Sequence, residues 1–239
     1  MKHIFLLLII STLIFSCKKN VTNSNQPFIS SELKSSKFEI NGRLENFFPE
    51  KVYLNKIIEN SIYQIDSCIV NDNSFVFNGI VEFPERFALT FQNYSSIAVI
   101  IIENTTFDVF IDGKQISDPI VNGSNSNILL QLYKTKSKQI FKKIDFLYPQ
   151  FQKARLENDA KKLSEIGLEM TKIEQQFSDF SFEFIQQNSQ YYVAAMILRD
   201  QLKLSNIDTI RIRNTYNLLS ENVKKSPDSQ IIESLLKLH

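Results

Sequence analysis

The chain has 239 residues, 43% of them hydrophobic and 20 of them Phe, with 27 Lys+Arg against 26 Asp+Glu. Near-neutral charge excludes the strong field that recruits nucleic acid or another charged polymer, and the apolar content excludes a disordered chain. Two His and two Cys are the whole supply of those residues, which rules out chemistries considered below.

Met1-Lys2-His3 is a short basic start, and Ile4 to Phe15 is apolar apart from Ser11 and Thr12. That run fits the apolar part of a secretory leader and falls short of the roughly 20 residues a membrane span needs. It ends in Leu13-Ile14-Phe15-Ser16-Cys17, which resembles a bacterial lipobox. The resemblance implies that residues 1–16 are removed and that Cys17 is lipidated. Several acyl chains hold a protein firmly at a bilayer, at about 0.8 kcal/mol per buried CH₂. Lys18 follows the cysteine rather than Asp, so the expected location is the outer membrane, on its periplasmic face. Residues 17–36 are polar and rich in Ser and Asn, and read as a flexible tether.

Residues 37–123 read as β structure. "KFEINGRL" alternates, and "KVYL" is a short strand. "SIYQIDSCIV" and "SFVFNGIV" flank Asn71-Asp72-Asn73 and are expected to form a hairpin. "RFALTFQ" places Phe87, Leu89 and Phe91 on one face. "IAVIIIE" is apolar without alternation, as suits a central strand covered on both faces. "TFDVFI" and "KQISDPIV" are separated by Asp112-Gly113, a pair that favours a two-residue type I′ turn. Seven or eight such strands imply an antiparallel sandwich or a barrel-like domain.

Residues 124–239 read as helical. Apolar or small residues recur at alternating steps of three and four from Leu130 to Ala154, and again from Leu163 to Phe184. Two such stretches joined at Asn158-Asp159 predict a long antiparallel helical hairpin, with Phe177, Phe180 and Phe184 in its seam. Pro149 should kink or break the first helix, and the period-two spacing of Phe180, Phe182 and Phe184 also allows a strand. Three shorter helices follow, with Ser189, Asp208 and Ser226-Pro227 as their start signals. The fold class expected is therefore α+β.

The order Phe38-Glu39-Ile40-Asn41-Gly42, Val52-Tyr53-Leu54, Ile65-Asp66-Ser67, Phe75-Val76-Phe77-Asn78-Gly79, Ile101-Ile102-Glu103-Asn104, Ile111-Asp112-Gly113 and Val121-Asn122-Gly123-Ser124 resembles a known family. It is the N-terminal domain of unknown function that precedes thioredoxin-like domains in envelope lipoproteins of Gram-negative bacteria. "FIQQNSQYYVAAMIL" is similar to the helical linker of the same proteins. In those relatives a Cys-x-x-Cys thioredoxin-like domain follows helices like the last one here. This sequence contains no Cys-x-x-Cys, so none of the family's redox residues can be carried over.

Beyond the leader the only His is His239 and the only Cys besides Cys17 is Cys68. A histidine general base, a His/Cys zinc cluster and an internal dithiol are all excluded. No catalytic residue, metal or other cofactor is expected. Cys68 is read as a small buried hydrophobe, or as the half of a mixed disulfide with a partner. Asp66 and Ser67, and likewise Glu103 and Asn104, either bind a ligand or stabilise local backbone, the structural role being the expectation. The functional expectation is a noncatalytic binding or scaffolding module with a protein partner in the envelope and no nucleic acid. An accessory half of a thiol-disulfide oxidoreductase and a small-ligand binder are the alternatives. The sequence sets no oligomeric state.

Overall fold

The computed structural model describes residues 37–59, 61–204 and 207–237. The leader, Cys17, the tether and His239 lie outside the described residues. Eight strands come first: β1 (Phe38–Glu45), β2 (Lys51–Ile58), β3 (Ser61–Ile69), β4 (Ser74–Gly79), β5 (Glu85–Phe91), β6 (Tyr94–Ile102), β7 (Thr106–Asp112) and β8 (Ile120–Asn122). Six helices follow: α1 (Asn125–Leu156), α2 (Ala160–Gln187), α3 (Tyr192–Gln201), α4 (Thr209–Asn217), α5 (Glu221–Lys224) and α6 (Pro227–Leu236).

The strands form two four-stranded sheets, ordered β4-β1-β7-β8 and β3-β2-β5-β6. Between them lies one apolar core that includes Ile40, Leu54, Phe77, Leu89, Ile100, Phe107 and Ile111, all essentially inaccessible to water. The arrangement is a sandwich with no closed barrel, and it is not wholly antiparallel, because β1 runs parallel to β7. Gly42 is required here for space. A Cβ on it would lie 2.0 Å from the ring of Phe75, which crosses it from β4.

Several local expectations are corrected. β3 and β4 do not form a hairpin: they belong to different sheets, joined only by the bridge between Asn71 and Ser74. Asp72 and Asn73 both adopt positive φ, which turns the chain from one layer to the other. Asp112-Gly113 is no type I′ turn, since neither residue has positive φ, and the chain runs on through a loop to the short β8. Strand β6 is covered on both faces from Ile100 to Ile102, as its apolar run required, yet it is an edge strand.

An edge strand buried on both faces must still satisfy its outward backbone groups. Helix α1 does this at Ile101 with one side chain. Asn127 accepts a hydrogen bond from the Ile101 N–H (2.9 Å) and donates to the Ile101 carbonyl (2.6 Å). Its amide thus stands where the next strand's peptide would. Asn127 is held by the Oγ of Ser124, the residue that caps α1 and follows Gly123 at φ +85°.

The helical hairpin forms as the spacing predicts, with Asp159 capping α2 through the Lys162 N–H. Tyr133 packs against Phe177, Phe180 and Phe184 in the seam, stacked on Phe180 at 5.4 Å between ring centres. Pro149 does not break α1. The carbonyl it leaves without a donor is that of Asp145, which is exposed and open to water. Helix α2 is continuous through Phe180–Phe184, so the strand alternative there is overturned. Ser189 does not cap α3: that helix begins after Tyr191 with no side-chain cap, and the Ser189 carbonyl instead accepts from the Ser220 N–H. Asp208 and Ser226 cap α4 and α6 as expected.

Helix α3 is the hub of the helical half. Val193 to Leu198 are all fully buried, the mark of a helix enclosed on every side. At its end, Asp200 receives both guanidinium nitrogens of Arg86 from β5, at 2.9 and 2.6 Å. Burial alone would lower the Arg86 pKa, but the Asp200 carboxylate outweighs it and raises it further. Arg199 similarly meets Asp228 of α6 at 2.9 Å.

Replacing Asn127 with Leu keeps its bulk and strands the two buried backbone groups of Ile101. The expected loss is about 2–4 kcal/mol in urea unfolding of the full chain. A loss below about 0.5 kcal/mol would mean that the β6 edge is satisfied in another way.

Candidate functional site

The two sides of the sandwich differ. On the β6/β8 side, α1 covers the edge. On the β3/β4 side, nothing among the described residues does. Strand β3 is exposed along almost its whole length, with Cys68 alone half-buried. Ile58, Ile62, Tyr63, Ile65 and Ile69 are all exposed, as are Val76 of β4 and Ile80 just beyond it; Ile69 is 64% exposed. Natural edge strands are commonly protected by Lys or Pro, and neither residue occurs in Ser61–Ile69 or Ser74–Gly79. A β-bulge at Ile65 is the only irregularity, because Leu54 faces Asp66 while Asn55 faces Gln64.

Between the two edges lies a groove of about 420 Å³, within the size range of ligand sites. Phe38, Leu54 and Phe87 form its floor, and Ile65, Ile80 and Val81 form its apolar walls. Its rim carries Lys56, Asp66, Glu82 and Glu85. Lys56 is paired with Glu85 at 3.2 Å, which leaves the carboxylates of Asp66 and Glu82 to set the charge of the rim.

The residues singled out from sequence do not converge on one centre. Asp66 reaches the groove, but its Oδ1 also accepts from the N–H of Ser67 at 2.7 Å. Ser67 lies on the outer face, paired with Tyr53. Glu103 points away from the groove and anchors the start of α1, accepting from Ser124 Oγ (2.6 Å), the Ser126 N–H (3.1 Å) and Ser126 Oγ. Asn104 holds the groove wall without lining it: its amide donates to the Val81 carbonyl (2.8 Å) and accepts from the Val81 N–H (3.0 Å). Phe177, Phe180 and Phe184 are hairpin seam. Cys17 lies outside the described residues.

Sequence reasoning missed Lys56, Glu82 and Glu85 on the rim and the exposed isoleucines of β3. A signal for the latter was present. In "SIYQIDSCI" apolar residues occupy both parities, so no register of the strand can bury them all.

Cys68 sits half-buried against the core on the inner face of β3. Burial pushes its thiol pKa up and the charge of Asp66 adds to that, while a backbone hydrogen bond at Val76 opposes. A raised pKa means less thiolate at neutral pH and a poorer nucleophile. No group of three or more His, Cys, Asp or Glu among the described residues is placed to hold a metal ion.

With that geometry in view, comparison with known proteins adds one finding. Residues 38–130 match the family model of a domain of unknown function, DUF4369. The match begins with β1 and runs into the first turns of α1, so it takes in the whole sandwich together with Ser124, Ser126 and Asn127, which close its β6 edge. The exposed edges and the groove therefore belong to the DUF4369 region, and most of the helical hairpin does not. No curated protein matches the chain significantly. No described helix is long and apolar enough to cross a membrane.

The raised pKa gives a direct expectation. Near neutral pH, iodoacetamide should modify Cys68 of the native chain several-fold more slowly than the same thiol in denaturant. Equal rates would show an accessible, unperturbed thiol and would return Cys68 to the candidates for mixed-disulfide chemistry.

Proposed function

We propose that this protein is a noncatalytic binding or scaffolding module held at the outer membrane, on the periplasmic face, by lipid on Cys17. It docks a protein in the envelope through the β3/β4 side of its sandwich. One observation carries the docking reading: two edge strands with no partner strand among the described residues lie together on that side, with Ile62, Tyr63, Ile65 and Ile69 of β3 and Val76 of β4 exposed along them. Large apolar side chains exposed on both faces of an edge strand favour an interaction site there. Open strand edges add backbone hydrogen-bonding capacity for an incoming strand. On the opposite side of the same sandwich, Asn127 takes up that capacity at Ile101.

The anchor reading rests on the leader and on Cys17, and the docking reading rests on the β edges, so each has its own test. Cells fed labelled palmitate should incorporate label into the wild-type chain and not into Cys17→Ala; an unlabelled wild type would remove the anchor. For docking, a photo-crosslinking residue is placed in living cells at Ile62 or Ile69, and separately at Ile210, an exposed residue of α4. Protein adducts should form from the two β3 positions and not from Ile210. Adducts from all three positions alike, or from none, would remove the docking reading.

A further inference from the structure

The exposed edge of β3 is self-complementary. Its backbone phase follows from one hydrogen bond: the Val70 N–H donates to the Glu50 carbonyl at 2.9 Å. In an antiparallel ladder, bonded and non-bonded pairs alternate. Counting back from Val70 with the observed register, Cys68 and Asp66 bond to β2, and Ile69 and Ser67 turn their backbone groups outward. Beyond the bulge, Tyr63 and Ser61 bond to β2, and Ile62 and Gln64 turn outward. The outward groups are therefore those of residues 62, 64, 67 and 69, placed symmetrically about the Ile65-Asp66 bulge.

That symmetry points to one occupant. We infer that β3 pairs antiparallel with β3 of a second copy of this chain, about a twofold axis between Ile65 and Asp66. This deepens the docking reading above and rests on it. A shared twofold makes each contact occur twice. In this register all four outward residues become bonded pairs, Ile62 with the second copy's Ile69 and Gln64 with its Ser67. The bulge sets the register, because it shifts the two outward pairs by an odd number of residues and leaves no other alignment that bonds all four.

The side chains agree with the backbone. β2 buries Val52 and Leu54 on the inner face, so their partners Cys68 and Asp66 also face inward, as does Tyr63 opposite Lys56. Ile62, Gln64, Ser67 and Ile69 face outward. Every proposed pair joins residues of one face: Ile62 to Ile69 and Gln64 to Ser67 on the outer face, Tyr63 to Cys68 and Ile65 to Asp66 on the inner. The two exposed isoleucines thus cover each other. Asp66 is the one charged residue of the strand, and it lies opposite Ile65 rather than opposite its own copy. The Ser67 N–H, which Asp66 Oδ1 holds in the single chain, exchanges that bond for the Gln64 carbonyl of the second copy.

The test uses the full-length chain in detergent, with protein mass measured by light scattering. A mass of two chains is expected. Ile62→Lys with Ile69→Lys changes only exposed side chains and sets lysine opposite lysine, and should weaken the dimer at least about tenfold, a change of about 1.4 kcal/mol. Unchanged far-UV circular dichroism would exclude misfolding as the cause. A second variant reads the register. Tyr63→Cys should form a covalent dimer with the native Cys68 of the other copy under copper phenanthroline and air, since non-bonded pairs bring Cα atoms to about 4.5 Å. The covalent dimer should vanish when Cys68→Ser is added, and Gln64→Cys should not form it with Cys68.

A dimer indifferent to the lysines, or a cross-link that survives Cys68→Ser, overturns the inference. So does a chain that stays single at every concentration. In that last case the photo-crosslinks separate the two claims: adducts to a different protein from Ile62 leave the docking reading standing, and the absence of any adduct removes both.

Discussion

The architecture turns on the closure of one sheet edge. From Ile100 to Ile102 β6 is buried on both faces, and buried N–H and C=O groups left unpaired cost too much to persist. The Asn127 amide closes that edge at Ile101. Once α1 is committed there, its direction is fixed by Ser124, Ser126 and Glu103, which gather around its first turn. The side of the sandwich that α1 covers cannot also dock a strand. On the opposite side, β3 over β4, no described residue covers the edges. The two sides therefore differ at one point: the β6 edge is closed at Ile101 by a side chain of α1, and neither β3 nor β4 has such a contact among the described residues.

A second constraint joins the layers to the helices. Arg86 extends from β5 to Asp200 at the end of α3, and Arg199 on the same helix reaches Asp228 in the first turn of α6. These pairs are only partly buried, and solvent screening limits what they add to net stability. Their effect here is positional. They hold α3, whose middle is wholly buried, against both the sheet and the last helix. The groove is tied in the same manner on a smaller scale, since Asn104 grips Val81 at its wall and the Lys56–Glu85 pair bounds its rim. Residues with the look of a ligand site, Glu103 and Asn104 above all, are spent on holding backbone in place.

The β3/β4 side offers a groove whose rim carries Asp66, Glu82 and the Lys56–Glu85 pair, and a bulged strand whose outward groups have no partner strand among the described residues. Cys68 lies between these features, turned inward and hindered from ionising.

Much of this was legible in the sequence where the determinants are local. The alternation at Phe38–Leu44 and Phe87–Phe91, the three-four spacing of the hairpin, and the caps at Asp159, Asp208 and Ser226 each depend on neighbours a few residues away. The sandwich of strands before a helical half could be read from these alone. Pairing could not. "IAVIIIE" announced burial on both faces, which holds from Ile100 to Ile102, but whether the next neighbour is a strand or an asparagine on a helix depends on a residue about 26 positions on. Asn71-Asp72-Asn73 announced a turn, but not that the turn crosses from one sheet to the other, because the same positive φ angles serve both. Asp112-Gly113 looked like a tight turn until β7 took its partners from β1 and β8. The sequence by itself determined which segments become strands and helices and, α3 apart, where the capped helices begin, since those rest on periodicity and on hydrogen bonds within a turn. Only the tertiary structure decided which edges are closed and which stay open, because the partner of a backbone group at a sheet edge is supplied by whatever part of the chain packs beside it.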